Sequence, residues 1–138
     1  MAQVLVIDDE PLLRTLVRNI LERGGHTVLD ASDGRAGLVL WHQNRVDVVL
    51  TDIFMPNKDG IEVLMEIKRA WPQANIIVMT GGGQTYQPDM VQAAILLGAA
   101  RILQKPFDKN VLLTAIREML TEPRASSRRP ESVPCRSR

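Results

Sequence analysis

Gln3-Val4-Leu5-Val6-Ile7-Asp8-Asp9-Glu10-Pro11-Leu12-Leu13-Arg14-Thr15-Leu16-Val17-Arg18-Asn19-Ile20-Leu21 changes periodicity once, at three acidic residues and a proline. Before the break, four aliphatics run without alternation, which is the pattern of a strand buried on both faces. After it, Leu12, Leu13, Leu16, Val17, Ile20 and Leu21 recur at helical spacing. Pro11 suits the first position of that helix, and the acidic residues before it suit its positive end. Gly24-Gly25 stops the helix. The stretch is therefore one strand–helix unit.

The same unit repeats along the chain. Strands are expected at 3–7, 26–31, 46–51, 76–80 and 100–104. Helices follow at Pro11, after Asp33-Gly34, around Ile61–Ile67 and ending near Trp71-Pro72, from Pro88-Asp89, and through Val111–Leu120. Strands that alternate with helices call for a parallel sheet, because each return crossover needs a helix packed on a sheet face. The expected fold is α/β, a doubly wound five-stranded parallel sheet with helices on both faces.

Composition sets the outer limits. A chain of 138 residues suits one domain, and 45% hydrophobic with 24% charged residues excludes a wholly disordered chain. No apolar run approaches the roughly 20 residues of a membrane span. No secretory leader is evident in Met1-Ala2-Gln3, and Cys135 has no second cysteine to pair with. The expected setting is the cytoplasm, with no membrane partner. Of 17 basic and 16 acidic residues, 5 and 2 fall in 122–138, leaving 12 and 14 in 1–121. A body of net charge −2 offers no basic face for nucleic acid. The final stretch carries three prolines, four serines and five arginines. It is expected to be a disordered basic tail (122–138), too short for an output domain, behind a folded domain at 1–121.

In open parallel sheets, ligands bind beyond the carboxyl ends of the strands. Those ends carry Asp8, Asp9 and Glu10, then Asp52, Thr80 and Lys105. Converging carboxylates repel one another, and a hard cation relieves them. Mg²⁺ takes one or two carboxylates and leaves room for a phosphoryl oxygen. Lys105 adds a point charge for such oxygens, and Thr80 a hydroxyl donor. Asp52, alone at its strand end, is the best carboxylate nucleophile.

With these residues in view, the chain resembles the receiver domain of two-component response regulators. The resemblance rests on Val6-Ile7-Asp8-Asp9-Glu10-Pro11, Thr51-Asp52-Ile53-Phe54-Met55-Pro56 with Asp59-Gly60, Val78-Met79-Thr80-Gly81, and Lys105-Pro106-Phe107. It covers about residues 2–121. It implies strand order 2-1-3-4-5 and a cis bond before Pro106. It implies that Asp52 accepts a phosphoryl group from a histidine kinase or phosphotransfer protein. Asp8, Asp9 and Asp52 would hold Mg²⁺ with the Phe54 carbonyl. Lys105 and Thr80 would bind the phosphoryl oxygens, and a downstream protein would read the result. The module would be a signalling device rather than an enzyme, acting without a fused output domain.

Three departures accompany the resemblance. Ile102 stands where the family has a switch aromatic. The interval from Thr80 to Lys105 is about three residues longer than usual, with the extra length expected in 81–88. Gly82 and Phe54 occupy positions that influence how long the phosphoryl group survives.

Other readings fit less well. An aspartyl phosphatase wants a second acid where Phe54 stands. A flavin-phosphate site would be repelled by Asp8-Asp9-Glu10. A receiver fold that docks partners without phosphorylation stays open, because the switch aromatic is missing. Finally, Met90–Leu97 is apolar nearly all round. Met90, Ala93, Ala94 and Leu97 are expected to cover the sheet, leaving Val91, Ile95 and Leu96 for a partner. A homodimer surface is therefore expected across helix 89–97, strand 100–104 and helix 109–121.

Overall fold

The computed structural model describes residues 2–55, 58–81 and 88–121. The tail 122–138, with Cys135, lies outside the described residues, as do Gly82 and most of the long loop at 81–88.

The chain runs β1 (Gln3–Ile7), α1 (Pro11–Arg23), β2 (Thr27–Ala31), α2 (Gly34–Gln43), β3 (Val48–Asp52), α3 (Gly60–Ala70), β4 (Ile76–Thr80), α4 (Pro88–Leu96), β5 (Arg101–Gln104) and α5 (Lys109–Thr121). All four strand pairings are parallel, in the order β2-β1-β3-β4-β5. The doubly wound α/β sheet and its strand order are thus as expected. The third strand starts two residues later than its apolar run suggests. Asp47 accepts the Gln3 N–H through its carboxylate (2.9 Å) and donates its own N–H to the Gln3 carbonyl (2.9 Å). That exchange ties the chain to β1 before the β3 ladder begins.

Two cores explain the unbroken apolar strands. Leu5, Ile7, Val49, Ile76 and Val78 face α2, α3 and α4 in one cluster. Val4, Val6, Val48, Leu50, Ile77 and Met79 face α1 and α5 in the other. Alternate residues thus bury to opposite sides, and each fully buried aliphatic contributes about 2 kcal/mol relative to exposure. Trp41 is buried within the first cluster, as a packing residue. The Gly24-Gly25 stop is explicit: Gly24 caps α1, and Gly25 turns the chain with φ +93°.

One expectation about α4 is corrected. Val91 is buried with Ala94, whereas Leu97 is exposed with Ile95 and Leu96. Helical spacing alone left two phases open, because nearly every position of α4 is apolar. Packing on the sheet chose the one that buries Val91.

Candidate functional site

Register builds the site. Ile7 pairs with Thr51, so Asp8 and Asp52 follow side by side as β1 and β3 end. Thr80 pairs with Gln104, which brings Lys105 to the next position beside Gly81. The Lys105 N–H donates to the Thr80 carbonyl (2.7 Å), fastening the end of β5 to β4. The peptide between Lys105 and Pro106 is cis, as expected.

The Lys105 ammonium is the centre of the cluster. Its Nζ lies 3.1 Å from Asp52 Oδ2, 3.4 Å from Asp8 Oδ2 and 3.7 Å from Glu10 Oε1. The two aspartates each keep a second partner. Asp52 Oδ1 accepts the Ile53 N–H (2.9 Å), and Asp8 Oδ1 accepts the Glu10 N–H (3.0 Å). Asp8 is fully buried and Asp52 nearly so. Burial raises the pKa of both carboxyls above the ordinary range; the Glu10 N–H and Lys105 at Asp8, and Lys105 at Asp52, only partly offset it. For Lys105, burial pulls the pKa down, but the charges and hydrogen bonds of Asp52 and Asp8 outweigh it and the net shift is upward.

One ammonium therefore faces more negative charge than it can neutralise. Carboxylate oxygens of Asp8, Glu10 and Asp52 all lie within 4.8 Å of one another. An all-oxygen, anionic donor set of this kind fits a hard divalent cation better than a soft one.

The structure brings Asp8, Asp52, Thr80 and Lys105 to one edge. Asp9 is exposed, but it lines the same open pocket as Glu10, Asp52, Phe54 and Lys105. Glu10, not Asp9, completes the trio of close carboxylates. The reason is geometric: Glu10, though itself exposed, brings Oε1 to 3.7 Å from the Lys105 ammonium, whereas Asp9 stays on the exposed rim of the pocket. Thr80 is buried, and among the described residues its hydroxyl makes only a long contact to the Gly81 carbonyl (3.4 Å). Phe54 is 44% exposed.

Sequence reasoning missed one further requirement. A Cβ placed on Gly60 would lie 2.3 Å from the Asp52 carbonyl oxygen and 2.9 Å from Ile53 Cα. The Gly60 N–H donates to the Ile53 carbonyl (2.9 Å). The first turn of α3 thus presses directly on the backbone that carries Asp52. The Asp59-Gly60 pair was visible as part of a motif, but its role as a spacer was not.

Comparison with known proteins agrees with this geometry. The family model described as response regulator receiver domain matches residues 4–117. The chain is 36% identical over 119 residues to the chemotaxis protein CheY of Halobacterium salinarum, covering 86% of this chain and 97% of that one. It is 34% identical to the transcriptional regulatory protein GlrR of Escherichia coli, covering 99% of this chain and 30% of the longer protein. Among solved structures, a receiver domain protein from Clostridium thermocellum superposes with a TM-score of 0.79 at 37% identity. That match covers 86% of this chain and 93% of the other.

Proposed function

From the premise that the chain belongs to the response regulator receiver domain family, we propose that it is a stand-alone phosphoacceptor switch with Asp52 as the acceptor. Receiver domains are signalling modules of two-component systems that interact with histidine kinases and downstream effectors, and they bind Mg²⁺ at an acidic pocket. The observation that carries the reading here is the Lys105 ammonium bridging Asp52 and Asp8 at 3.1 and 3.4 Å. It sets a permanent positive charge beside the carboxylate best placed to attack.

In this reading, an Asp52 carboxylate oxygen attacks the phosphorus of a phosphohistidine on a kinase or phosphotransfer protein. The P–N bond breaks as the P–O bond forms, and the leaving imidazole takes a proton from solvent. The Ile53 N–H holds the other Asp52 oxygen and so orients the carboxylate. Lys105 leaves its carboxylate pairing to meet the new phosphoryl oxygens, and the Thr80 hydroxyl donates to them. Asp8, Asp52 and the Phe54 carbonyl would hold Mg²⁺, with Asp9 joining by rotation of its side chain from the rim and Glu10 close at hand. The cation would supply charge neutralisation for the carboxylates and the phosphoryl group.

The output surface follows from α4, β5 and α5. Ile95, Leu96 and Leu97 are exposed in succession, with Val111 exposed on α5. That run supports contact with a downstream protein or with a second copy of the chain. Folded residues 1–121 form the module in this reading, 122–138 remain a basic tail, and the setting is cytoplasmic. Among the described residues no helix is long and apolar enough to cross a membrane.

Intact-protein mass spectrometry after incubation with acetyl phosphate tests the reading. One phosphoryl adduct is expected, requiring both Mg²⁺ and Asp52 and absent in Asp52→Ala. No adduct on a folded protein would favour the docking module that works without phosphorylation. Ile102, half-buried where the family has an aromatic, is the observation that keeps that second reading in view.

A further inference from the structure

Arg14 makes a contact that the chemistry above does not use. Its Nη1 donates a 2.7 Å hydrogen bond to the main-chain carbonyl of Asp8. Besides its pairing with Lys105, Asp8 is held at two more points. The Asp8 N–H donates to the Ala31 carbonyl (3.1 Å), and Asp8 Oδ1 accepts the Glu10 N–H (3.0 Å). The Asp8 carbonyl and the Asp9 N–H belong to one planar peptide. Fixing the carbonyl therefore fixes the direction in which the chain leaves toward Asp9 and Glu10. A guanidinium on a carbonyl is a charge-assisted bond, shorter and stronger than a neutral one. Arg14 sits on the first turns of α1, half-buried, so the helix itself anchors the loop that precedes it.

We propose that Arg14 is a positioning residue for the divalent-cation site: by clamping the Asp8–Asp9 peptide it presets the acidic residues that receive the cation. This rests on the Mg²⁺-dependent phosphoacceptor reading of the same site. It makes a prediction of definite sign. A guanidinium is itself a cation near an acidic cluster, so by charge alone its removal strengthens Mg²⁺ binding. As a clamp, its removal weakens binding.

Arg18, one turn further along α1, supplies the comparison. It is engaged by Asp30 (2.8 Å) and Glu22 (3.1 Å) rather than by the acidic loop. Isothermal titration of Mg²⁺ into the full chain, at constant ionic strength, compares the unmodified protein with Arg14→Met, Arg14→Lys and Arg18→Met. Arg14→Met should weaken the Kd by about tenfold, the scale seen when a residue that orients metal ligands is removed. Arg14→Lys keeps the charge but loses the planar fork, so it should fall between. Arg18→Met should bind as tightly as the unmodified protein or more so. With acetyl phosphate as donor, the Mg²⁺ concentration for half-maximal phosphorylation of Arg14→Met should rise by the same factor. Its rate at saturating Mg²⁺ should be retained.

Thermal unfolding checks each variant, and Arg14→Lys carries the test should Arg14→Met fail to fold. A Kd unchanged or tighter in a folded Arg14 variant overturns the proposal. So does an equal weakening in Arg18→Met. Absence of Mg²⁺ binding by the unmodified protein would instead overturn the phosphoacceptor reading, and this proposal with it.

Discussion

Helices α3 and α4 follow the two strands that deliver Asp52 and Thr80, yet they are built in opposite ways. Helix α3 is pinned. The Asp59 carboxylate accepts the Glu62 N–H (2.9 Å), and Glu62 returns the favour by accepting the Asp59 N–H (3.2 Å). Val63, Leu64 and Ile67 bury one face, and Gly60 presses on the Asp52 backbone. Lys68 closes the other end by donating to the carbonyls of Pro72 (3.1 Å) and Ala74 (2.8 Å). Helix α4 buries only Val91 and Ala94, and it leaves Ile95 and Leu96 exposed, with Leu97 exposed just beyond its end. One helix holds the Asp52 backbone in place, and the other offers surface. A switch needs both: a site held to a fraction of an ångström, and a nearby element with little packing to lose when its surroundings shift.

The largest test of this contrast is Gly60→Ala. The added methyl meets the Asp52–Ile53 backbone, which cannot rotate away, so a loss of about 3 kcal/mol is expected in urea unfolding. Phosphorylation by acetyl phosphate should fall with it, because the Asp52 backbone must move. Gly98→Ala, just after α4, is the matched change. Gly98 has φ +108°, and its Cβ would meet the flexible Lys68 Cε at 3.0 Å. It should cost about 1 kcal/mol through backbone strain and leave phosphorylation untouched. Equal damage to phosphorylation from the two variants would erase the distinction.

Asp59→Ala removes the capping box and should cost about 1 kcal/mol. The loss would show as a lower unfolding midpoint, with Asp52 still able to accept a phosphoryl group. Ile95→Lys with Leu96→Lys should change stability by less than about 0.5 kcal/mol, since both residues are exposed. Sedimentation should then show any self-association of the unmodified protein abolished. A protein that is monomeric at high concentration, phosphorylated or not, would remove the second-copy reading of this surface.

The smallest effect lies at the far end of the sheet. His26 Nδ1 accepts the Ala2 N–H (3.1 Å), and burial, with the amino-terminal charge, lowers its pKa below the usual 6.5. The unfolded chain therefore takes up the proton first. The contribution is complete above pH 6.5, declines as pH falls toward the folded pKa, and is lost below it. Unfolding midpoints measured across that window should slope for the unmodified protein and flatten for His26→Gln. Phosphorylation should be indifferent to the change.

The acidic break at residues 8–10 and its strand–helix flanks made the fold legible, because strands buried on both faces cannot alternate and parallel strands demand crossovers. The site was legible for the same reason. Residues at strand ends are fixed by local pattern, so Asp8, Asp52, Thr80 and Lys105 could be assigned to one edge before any contact was known. The phase of α4 was not legible, since an all-apolar helix fits the sheet in more than one rotation and only packing selects Val91 over Leu97.

Sequence by itself determined the elements, the sheet's parallel sense and the chemistry gathered at its edge, because periodicity and charge are written one residue at a time. The three-dimensional fold alone determined the distances: Lys105 between Asp8 and Asp52, Glu10 rather than Asp9 in the close trio, Arg14 on the Asp8 carbonyl, Gly60 against Asp52. Those relations join residues from separate elements. Their geometry follows from register and from how the helices seat on the sheet, which no local stretch of sequence encodes.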